Sequence, residues 1–177
     1  DADAKLPVAR LFQSKNLWLA MVQYFCSNFT FFFCLTWLPS YLKTVYSLDT
    51  ADAAFYAMFP LLAGAAGNWF SGWWIDRIYR RGHWELSRKL PAAAGFVFAA
   101  AGLVVAVHMD TVQLATAFLA VAIFGADMTL SPSWSFCIDI GRKHAGAVSG
   151  TMSMAGNLGA FLTSLAFPYL QDYFGGS

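Results

Sequence analysis

Long uncharged stretches alternate with short charged ones along the whole chain. Five stretches of at least 20 residues are rich in aliphatic and aromatic side chains, and one charged residue, Asp127, falls within them. A helix needs about 20 residues to cross the roughly 30 Å hydrocarbon core of a membrane. The stretches lack period-two alternation and exceed the about 9–11 residues of a membrane barrel strand. The pattern therefore predicts an all-α polytopic membrane helix bundle.

Five transmembrane helices are predicted from these stretches. We place them at residues 17–41, 52–75, 89–108, 111–138 and 145–170. Residues 1–16 are interpreted as the end of a cytoplasmic interdomain loop, because the sequence starts without an initiator methionine. After five crossings, residues 171–177 are expected to form an outer loop.

The composition agrees with a membrane protein and argues against nucleic-acid binding. Hydrophobic residues make up 58% of the chain and charged residues 12%, whereas average soluble domains carry about 25% charged residues. The net charge is +1, so the chain lacks the basic excess that binds nucleic acid.

Basic residues gather on one side of the predicted bundle. Ten of the eleven Lys and Arg residues precede the first helix or lie in, or directly at the end of, the second-to-third and fourth-to-fifth connections, and only Lys43 falls on the other side. Cytoplasmic loops of membrane proteins are enriched in Lys and Arg. We therefore predict a plasma-membrane protein (the inner membrane of a bacterium) with a cytoplasmic N-terminus.

A cluster of charges directly follows the second predicted helix. Gly72 is followed by Asp76, Arg77, Arg80 and Arg81, in the pattern Gly-x-x-x-Asp-Arg-x-x-Arg-Arg. Small residues just before the cluster let another helix approach closely. The pattern resembles the signature loop of the major facilitator superfamily, which recurs between the second and third helices of each half of those transporters. An ordinary cytoplasmic anchor with no mechanical role is the alternative interpretation.

The fourth predicted helix carries an acidic residue near its middle. An ionised carboxylate there is unfavourable by about 2.5–3.5 kcal/mol on insertion scales, so Asp127 must face protein or water. Two interpretations stay open. Asp127 is either a proton or cation site, or a carboxylate that fixes helix packing through hydrogen bonds.

Pro132 in the same helix removes a backbone hydrogen bond and can kink the helix. The bend would spread Ser131, Ser133 and Trp134. Hydroxyl groups and an indole ring can hold a small polyhydroxylated molecule, so these residues are candidates for binding it.

Polar stripes run along two further helices. In the first helix, Tyr24, Asn28 and Phe32 recur every four residues and share one face. In the fifth, Ser153 and Asn157 belong to a similar stripe. Such stripes face a cavity or a partner helix rather than lipid, and for Asn28 both possibilities stay open.

Catalytic and metal-binding sites are not expected. His83, His108 and His144 lie in three different connections, two of them on opposite membrane faces, so a shared metal ion is not credible. An intramembrane enzyme needs an acid pair, a His dyad or a nucleophile with its base, and Asp127 has no ionisable partner within a predicted helix. We therefore predict a protein that is not an enzyme and has no cofactor.

Four blocks of the sequence carry a wider resemblance. They are residues 23–25 with 36–42, residues 64–81, residues 131–146 and residues 149–159. Together they look like the C-terminal half of a transporter of the anion:cation symporter family, within the major facilitator superfamily. The resemblance covers nearly the whole chain and implies helices seven to eleven of twelve. The sequence would then be a fragment without the N-terminal half and the last helix.

The resemblance implies proton- or sodium-driven symport of a small organic anion by alternating access. Sugar acids such as galactonate, glucarate or hexuronates are typical substrates. In relatives the kinked tenth helix and the eleventh line the central cavity, which points to the serines and Trp134 at the bend and to Ser153 and Asn157. Relatives often carry Asn in place of Ser153 and Tyr in place of Phe32.

We call the segment with Gly72, Asp76, Arg77, Arg80 and Arg81 the arginine loop. The resemblance also implies that this loop is a cytoplasmic gate that acts through Asp76 and Arg77. The expected partners are the organic anion, a proton or sodium ion, the lipid bilayer and the missing N-terminal half. Apart from Lys89, the first residue of the third predicted helix, no Lys or Arg lies inside a predicted helix, so a cation for a substrate carboxylate would come from that half. The alternative is a self-contained five-span protein, such as a channel subunit or assembly factor.

Overall fold

The computed structural model describes residues 12–175, and this part of the chain is almost entirely helical, without strands. Residues 1–11 of the predicted interdomain loop and residues 176–177 of the predicted outer loop lie outside the described residues. Six α-helices and one short 3₁₀ helix follow one another in the described part. They are α1 Lys15–Tyr46, α2 Thr50–Tyr79, α3 Trp84–Ala106, α4 Val112–Met128, α5 Leu130–Gly141, the 3₁₀ helix Arg142–His144 and α6 Ala145–Gly175.

Three stretches of the described residues are long and apolar enough to cross a membrane. They are Lys15–Tyr46, Trp84–Ala106 and the 55-residue run Val112–Ala166. Helix α2 has 30 residues but falls short of this hydropathy, because its C-terminal half contains several glycines as well as Asn68 and Ser71. That each of the five predicted segments crosses a membrane stays a prediction.

The helices extend beyond several of the predicted ends. Helix α1 continues past Lys43 to Tyr46, and α2 continues past Arg77 to Tyr79. Charged residues end an apolar stretch, but they do not break the backbone hydrogen-bond ladder. The chain leaves these helices near residues with positive φ, Ser47 at 52° and Gly82 at 81°, and an α-helix cannot accommodate that conformation.

The chain forms two compact units. Residues 33–132 form one, called the central unit, and residues 12–32 with 133–175 form the other, called the terminal unit. In the central unit α4 packs against both α2 and α3. An added Cβ at Gly67 would collide with the carbonyl group of Phe124, and one at Gly125 would come within 2.5 Å of the Gly95 carbonyl oxygen. Glycine therefore permits both helix contacts.

An apolar core lies at one end of the central unit, with partly buried tyrosines packed against it. The core consists of Leu38, Leu42, Ala53, Ala57, Ala106 and Leu119. The hydroxyl of Tyr46 donates to the carbonyl of Met109 at 2.8 Å, which ties the end of α1 to the turn between α3 and α4.

The break between α4 and α5 lies at Thr129, three residues before Pro132. Pro132 is the third residue of α5, in the first turn, where a missing N–H is tolerated. Helix α4 ends just before Thr129, whose N–H donates at 3.1 Å to the carbonyl of Ala126, three residues earlier, as in a 3₁₀ turn. The expected kink therefore forms a joint between two helices.

In the terminal unit the first half of α1 packs against α5 and α6. The core consists of Leu17, Ala20, Cys137, Val148 and Met152. Farther along, the hydroxyl of Thr163 donates to the carbonyl of Phe29 at 3.0 Å. An added Cβ at Gly159 would come within 2.6 Å of the Phe25 carbonyl oxygen, so α1 and α6 are in backbone contact there.

Candidate functional site

An aromatic pair joins α1 to α5 in the terminal unit. The rings of Tyr24 and Trp134 meet edge to face, with centroids 6.2 Å apart and planes at 86°, an arrangement that aromatic quadrupoles favour. Trp134 keeps 41% of its surface exposed. The structure thus brings together two of the predicted site residues and leaves part of the indole available for a ligand.

A hydrogen-bonded chain lies beside this pair. The hydroxyl of Ser133 donates to Oε1 of Gln23 at 2.9 Å, and Nε2 of Gln23 donates to Oγ of Ser27 at 3.0 Å. Gln23 was not among the predicted site residues. The signal that could have found it is an uncharged amide within an apolar helix, next to Tyr24.

The other predicted residues of this unit have different surroundings. Nδ2 of Asn28 donates to the carbonyl of Tyr24, 2.9 Å away in its own helix. An added Cβ at Gly156 would lie 2.9 Å from the same Nδ2, so the Asn28 amide packs against α6. Phe32 is half-buried and meets the ring of Phe31 edge to face.

Ser153 is half-buried and Asn157 is exposed on α6. Within residues 12–175, neither side chain has a hydrogen-bond partner. Both are therefore available to a ligand or to another polypeptide.

Ser131 belongs to a separate cleft in the central unit. Its hydroxyl donates to Oδ1 of Asn68 at 2.6 Å, and the Asn68 carbonyl lies 3.2 Å from the same oxygen. The shorter contact is the stronger bond. The cleft has a volume of about 570 Å³, with Trp69, Trp73 and Asp76 around it.

Asp127 is half-buried and faces α2. An added Cβ at Gly64 would collide with Oδ2 of Asp127, so the missing side chain of Gly64 makes room for the carboxylate. No hydrogen bond or ion pair joins this carboxylate to another described residue. Among the described residues, the Asp127 carboxylate therefore lacks the hydrogen-bond partner that the packing interpretation requires.

The arginine loop is exposed at the end of α2. The guanidinium of Arg77 lies over the ring of Trp73, 5.7 Å from its centroid, and Asp76, Arg80 and Arg81 are exposed. Gly72 is half-buried, and an added Cβ there would lie 3.7 Å from Oγ of Ser131. The predicted gate residues thus occupy one end of α2, beside the cleft.

The fold and the apolar helices define the class of protein as an all-α integral membrane helix bundle, as predicted. The sequence profile of the Major Facilitator Superfamily matches residues 2–164, and the chain belongs to this family. The residues described above thus lie on the scaffold of a membrane transporter family, and the expectation that the chain is not an enzyme is confirmed by its relatives.

Three relatives are named as transporters of organic acids. The chain is 34% identical over 176 residues to the probable sulfoacetate transporter SauU of Cupriavidus necator, a match that covers 97% of this chain and 40% of the relative. It is 28% identical over 167 residues to the probable L-galactonate transporter of Escherichia coli, covering 92% and 36%. It is 26% identical over 176 residues to the probable galactarate/D-glucarate transporter GudP of Bacillus subtilis, covering 97% and 38%. The chain therefore spans 40% or less of the length of these relatives.

Proposed function

We propose that the chain is the C-terminal half of a secondary active transporter for a small organic anion. The substrate class is a sugar acid or a similarly sized hydroxylated acid, taken up by symport with protons or sodium ions. Relatives named for sulfoacetate, L-galactonate and galactarate/D-glucarate support this class. Family membership favours it over a self-contained channel subunit.

The observation that carries the proposal is the cluster of Tyr24, Trp134, Gln23 and Ser133. The partly exposed indole of Trp134 can pack against the C–H groups of a sugar acid. The Ser133 hydroxyl and the Gln23 amide are already hydrogen-bonded to each other, so they are held in place to bind substrate hydroxyl groups. Ser153 and Asn157 on α6 are proposed to supply further polar contacts.

The substrate carboxylate requires a different source of charge. The five long apolar stretches of the sequence contain no Lys or Arg. They are residues 16–42, 53–75, 90–109, 111–138 and 144–171. We therefore assign the cation to the N-terminal half, which also makes that half the partner in alternating access. Asp127 is proposed as an ion-coupling residue, since its carboxylate has space and no described partner.

The arginine loop is proposed as a cytoplasmic gate, with the N-terminus of the chain on the cytoplasmic side of a bacterial inner membrane. Asp76 borders the cleft and has no ion-pair partner among the described residues, and Arg77 is held by Trp73. Opposite charges on the N-terminal half could close on both when the transporter faces outward.

The function is tested by uptake into proteoliposomes that hold the purified full-length protein. Labelled galactonate, glucarate and sulfoacetate are offered under an imposed proton gradient, a sodium gradient or neither. The proposal predicts uptake of at least one acid that depends on one of the gradients. Uptake that is independent of both gradients, or an ion conductance without uptake, would favour a channel.

A further inference from the structure

The turn from α2 to α3 carries exposed guanidinium groups among exposed aromatic rings. We call Tyr79, Arg80, Arg81, Trp84 and Arg88 the turn surface. Tyr79 is 53% exposed and Trp84 is 47% exposed, and both Arg80 and Arg81 are exposed. Arg88 lies over the Tyr79 ring, 5.5 Å from the centroid, so one cation is fixed against an aromatic face.

Two carboxylates, Asp76 and Glu85, lie close to Arg80 and Arg81 in the sequence. Glu85 is bound by Lys89, with Oε2 3.0 Å from Nζ. Asp76 lies one turn before Arg80 and forms no ion pair with any residue in the described range. The side chains of Arg80 and Arg81 likewise have no hydrogen bond or ion pair within residues 12–175. Arg80 and Arg81 therefore give the turn surface a net positive charge.

An apolar path leads away from the same turn along α3. Leu86, Leu90 and Val97 are 47%, 38% and 66% exposed. They are spaced by four and seven residues, so they share one face of the helix. In a membrane protein such a face is solvated by acyl chains. The cationic turn surface, which suits a lipid headgroup, is thus next to the apolar face of α3, which suits acyl chains.

We propose that the turn surface binds an acidic phospholipid. Guanidinium groups recognise phosphate in a bidentate manner, aromatic rings settle at headgroup depth, and basic clusters beside membrane helices attract anionic lipids. Arg80 and Arg81 hold the phosphodiester, Trp84 lies at the headgroup level, and the acyl chains follow Leu86 and Leu90. Arg80 and Arg81 belong to the same loop as the proposed gate, which acts through Asp76 and Arg77, and lipid binding is a further role of that loop.

Native mass spectrometry of the detergent-purified protein tests the proposal. Bound phosphatidylglycerol is compared with phosphatidylcholine for the parent protein and for the double variant R80Q/R81Q. The matched control is R142Q/K143Q, which removes the same charge from another exposed connection. Free glycerol phosphate serves as a soluble competitor that has the phosphate but no acyl chains.

The expected result is retention of phosphatidylglycerol over phosphatidylcholine and a loss of affinity of about 25-fold in R80Q/R81Q, since each cation contributes about fivefold. R142Q/K143Q should retain the lipid, and R80K/R81K should lose less affinity than R80Q/R81Q because it keeps the charge. Equal losses in both neutralised variants, equal retention of phosphatidylcholine, or full displacement by free glycerol phosphate would overturn the proposal. Circular dichroism of each variant checks that the helices are retained.

Discussion

The hydroxyl of Ser71 donates to the carbonyl oxygen of Met128 at 2.6 Å, and both groups are buried. In a continuous helix this carbonyl would accept from the N–H of residue 132, which is proline and has none. Helix α2 therefore supplies the donor that the helix at the joint lacks. The joint between α4 and α5 is held from outside by a neighbouring helix, so its geometry depends on Ser71.

Replacing Ser71 with alanine should destabilise the protein. The Met128 carbonyl would remain buried without a donor, which costs about 1–3 kcal/mol. The measurement is the unfolding free energy in mixed micelles. Ser164 is the matched control, because its hydroxyl is exposed and bonds only the Ala160 carbonyl of its own helix. S164A should change stability by less than about 0.5 kcal/mol, and an equal effect of the two variants would contradict this role of Ser71.

A double-mutant cycle between Ser71 and Pro132 sharpens the same prediction. P132A restores a backbone N–H that can donate to Met128, so S71A should cost less in the P132A background than in the parent protein. The coupling energy is expected to be on the order of 1 kcal/mol. Additive effects would show that the Ser71 hydroxyl does not replace the donor missing at Pro132.

Replacing Gly64 with alanine should disturb the carboxylate of Asp127. The new methyl group would collide with Oδ2, and Cγ2 of Ile123 lies 3.0 Å from the same point, so we expect a loss of about 1–3 kcal/mol from overpacking. Gly150 is the control, since an added Cβ there meets nothing within 4 Å. G150A should be neutral or stabilising, because alanine is favoured over glycine in a helix by about 0.5–1 kcal/mol.

Thermal unfolding of both glycine variants measures this difference. D127A in the G64A background should recover part of the lost stability, because it removes the colliding oxygen. If G64A and G150A unfold at the same temperature, the carboxylate does not occupy the space at Gly64.

Replacing Gln23 with alanine should weaken substrate binding without unfolding the protein. One hydrogen bond to a substrate hydroxyl and the orientation of Ser133 would be lost, so KM should rise about fivefold. Gln113 is the control, because its exposed amide lies 3.5 Å from the Tyr56 hydroxyl in the central unit. Initial uptake rates over a range of substrate concentrations give both KM values. A KM in Q23A equal to that in Q113A would exclude Gln23 from the site.

The class of fold could be predicted from the sequence because long uncharged stretches leave few alternatives to membrane helices. The helix ends could not, since the chain leaves α1 and α2 near residues with positive φ, Ser47 and Gly82, and not where charge begins. Close packing at Gly67 was predictable from its size. Its partner, the carbonyl group of Phe124, was not, because side-chain pattern does not specify which helix approaches.

In the candidate site, too, residues on a single helix could be predicted, whereas contacts between helices could not. The stripe containing Tyr24 and the bend containing Trp134 were both predictable, but their contact across 110 residues depends on tertiary packing. Gln23 was missed because its amide acquires a role only through Ser133. Asn28 was left open between packing and cavity lining, and in the structure its amide bonds the Tyr24 carbonyl and lies against Gly156.

Uptake by W134A in proteoliposomes tests the central claim most directly. The indole is proposed to pack on the substrate, so W134A should lower kcat/KM about tenfold or more, equivalent to about 1.4 kcal/mol, while W134F retains most of the uptake. L162A is the control, because Leu162 is an exposed side chain of the same unit, at 40% exposure, lies on the face of α6 opposite Ser153, and should leave uptake unchanged. Parent-like kcat/KM in W134A, with normal protein in the liposomes, would contradict the assignment of the Tyr24–Trp134 cluster as the substrate site.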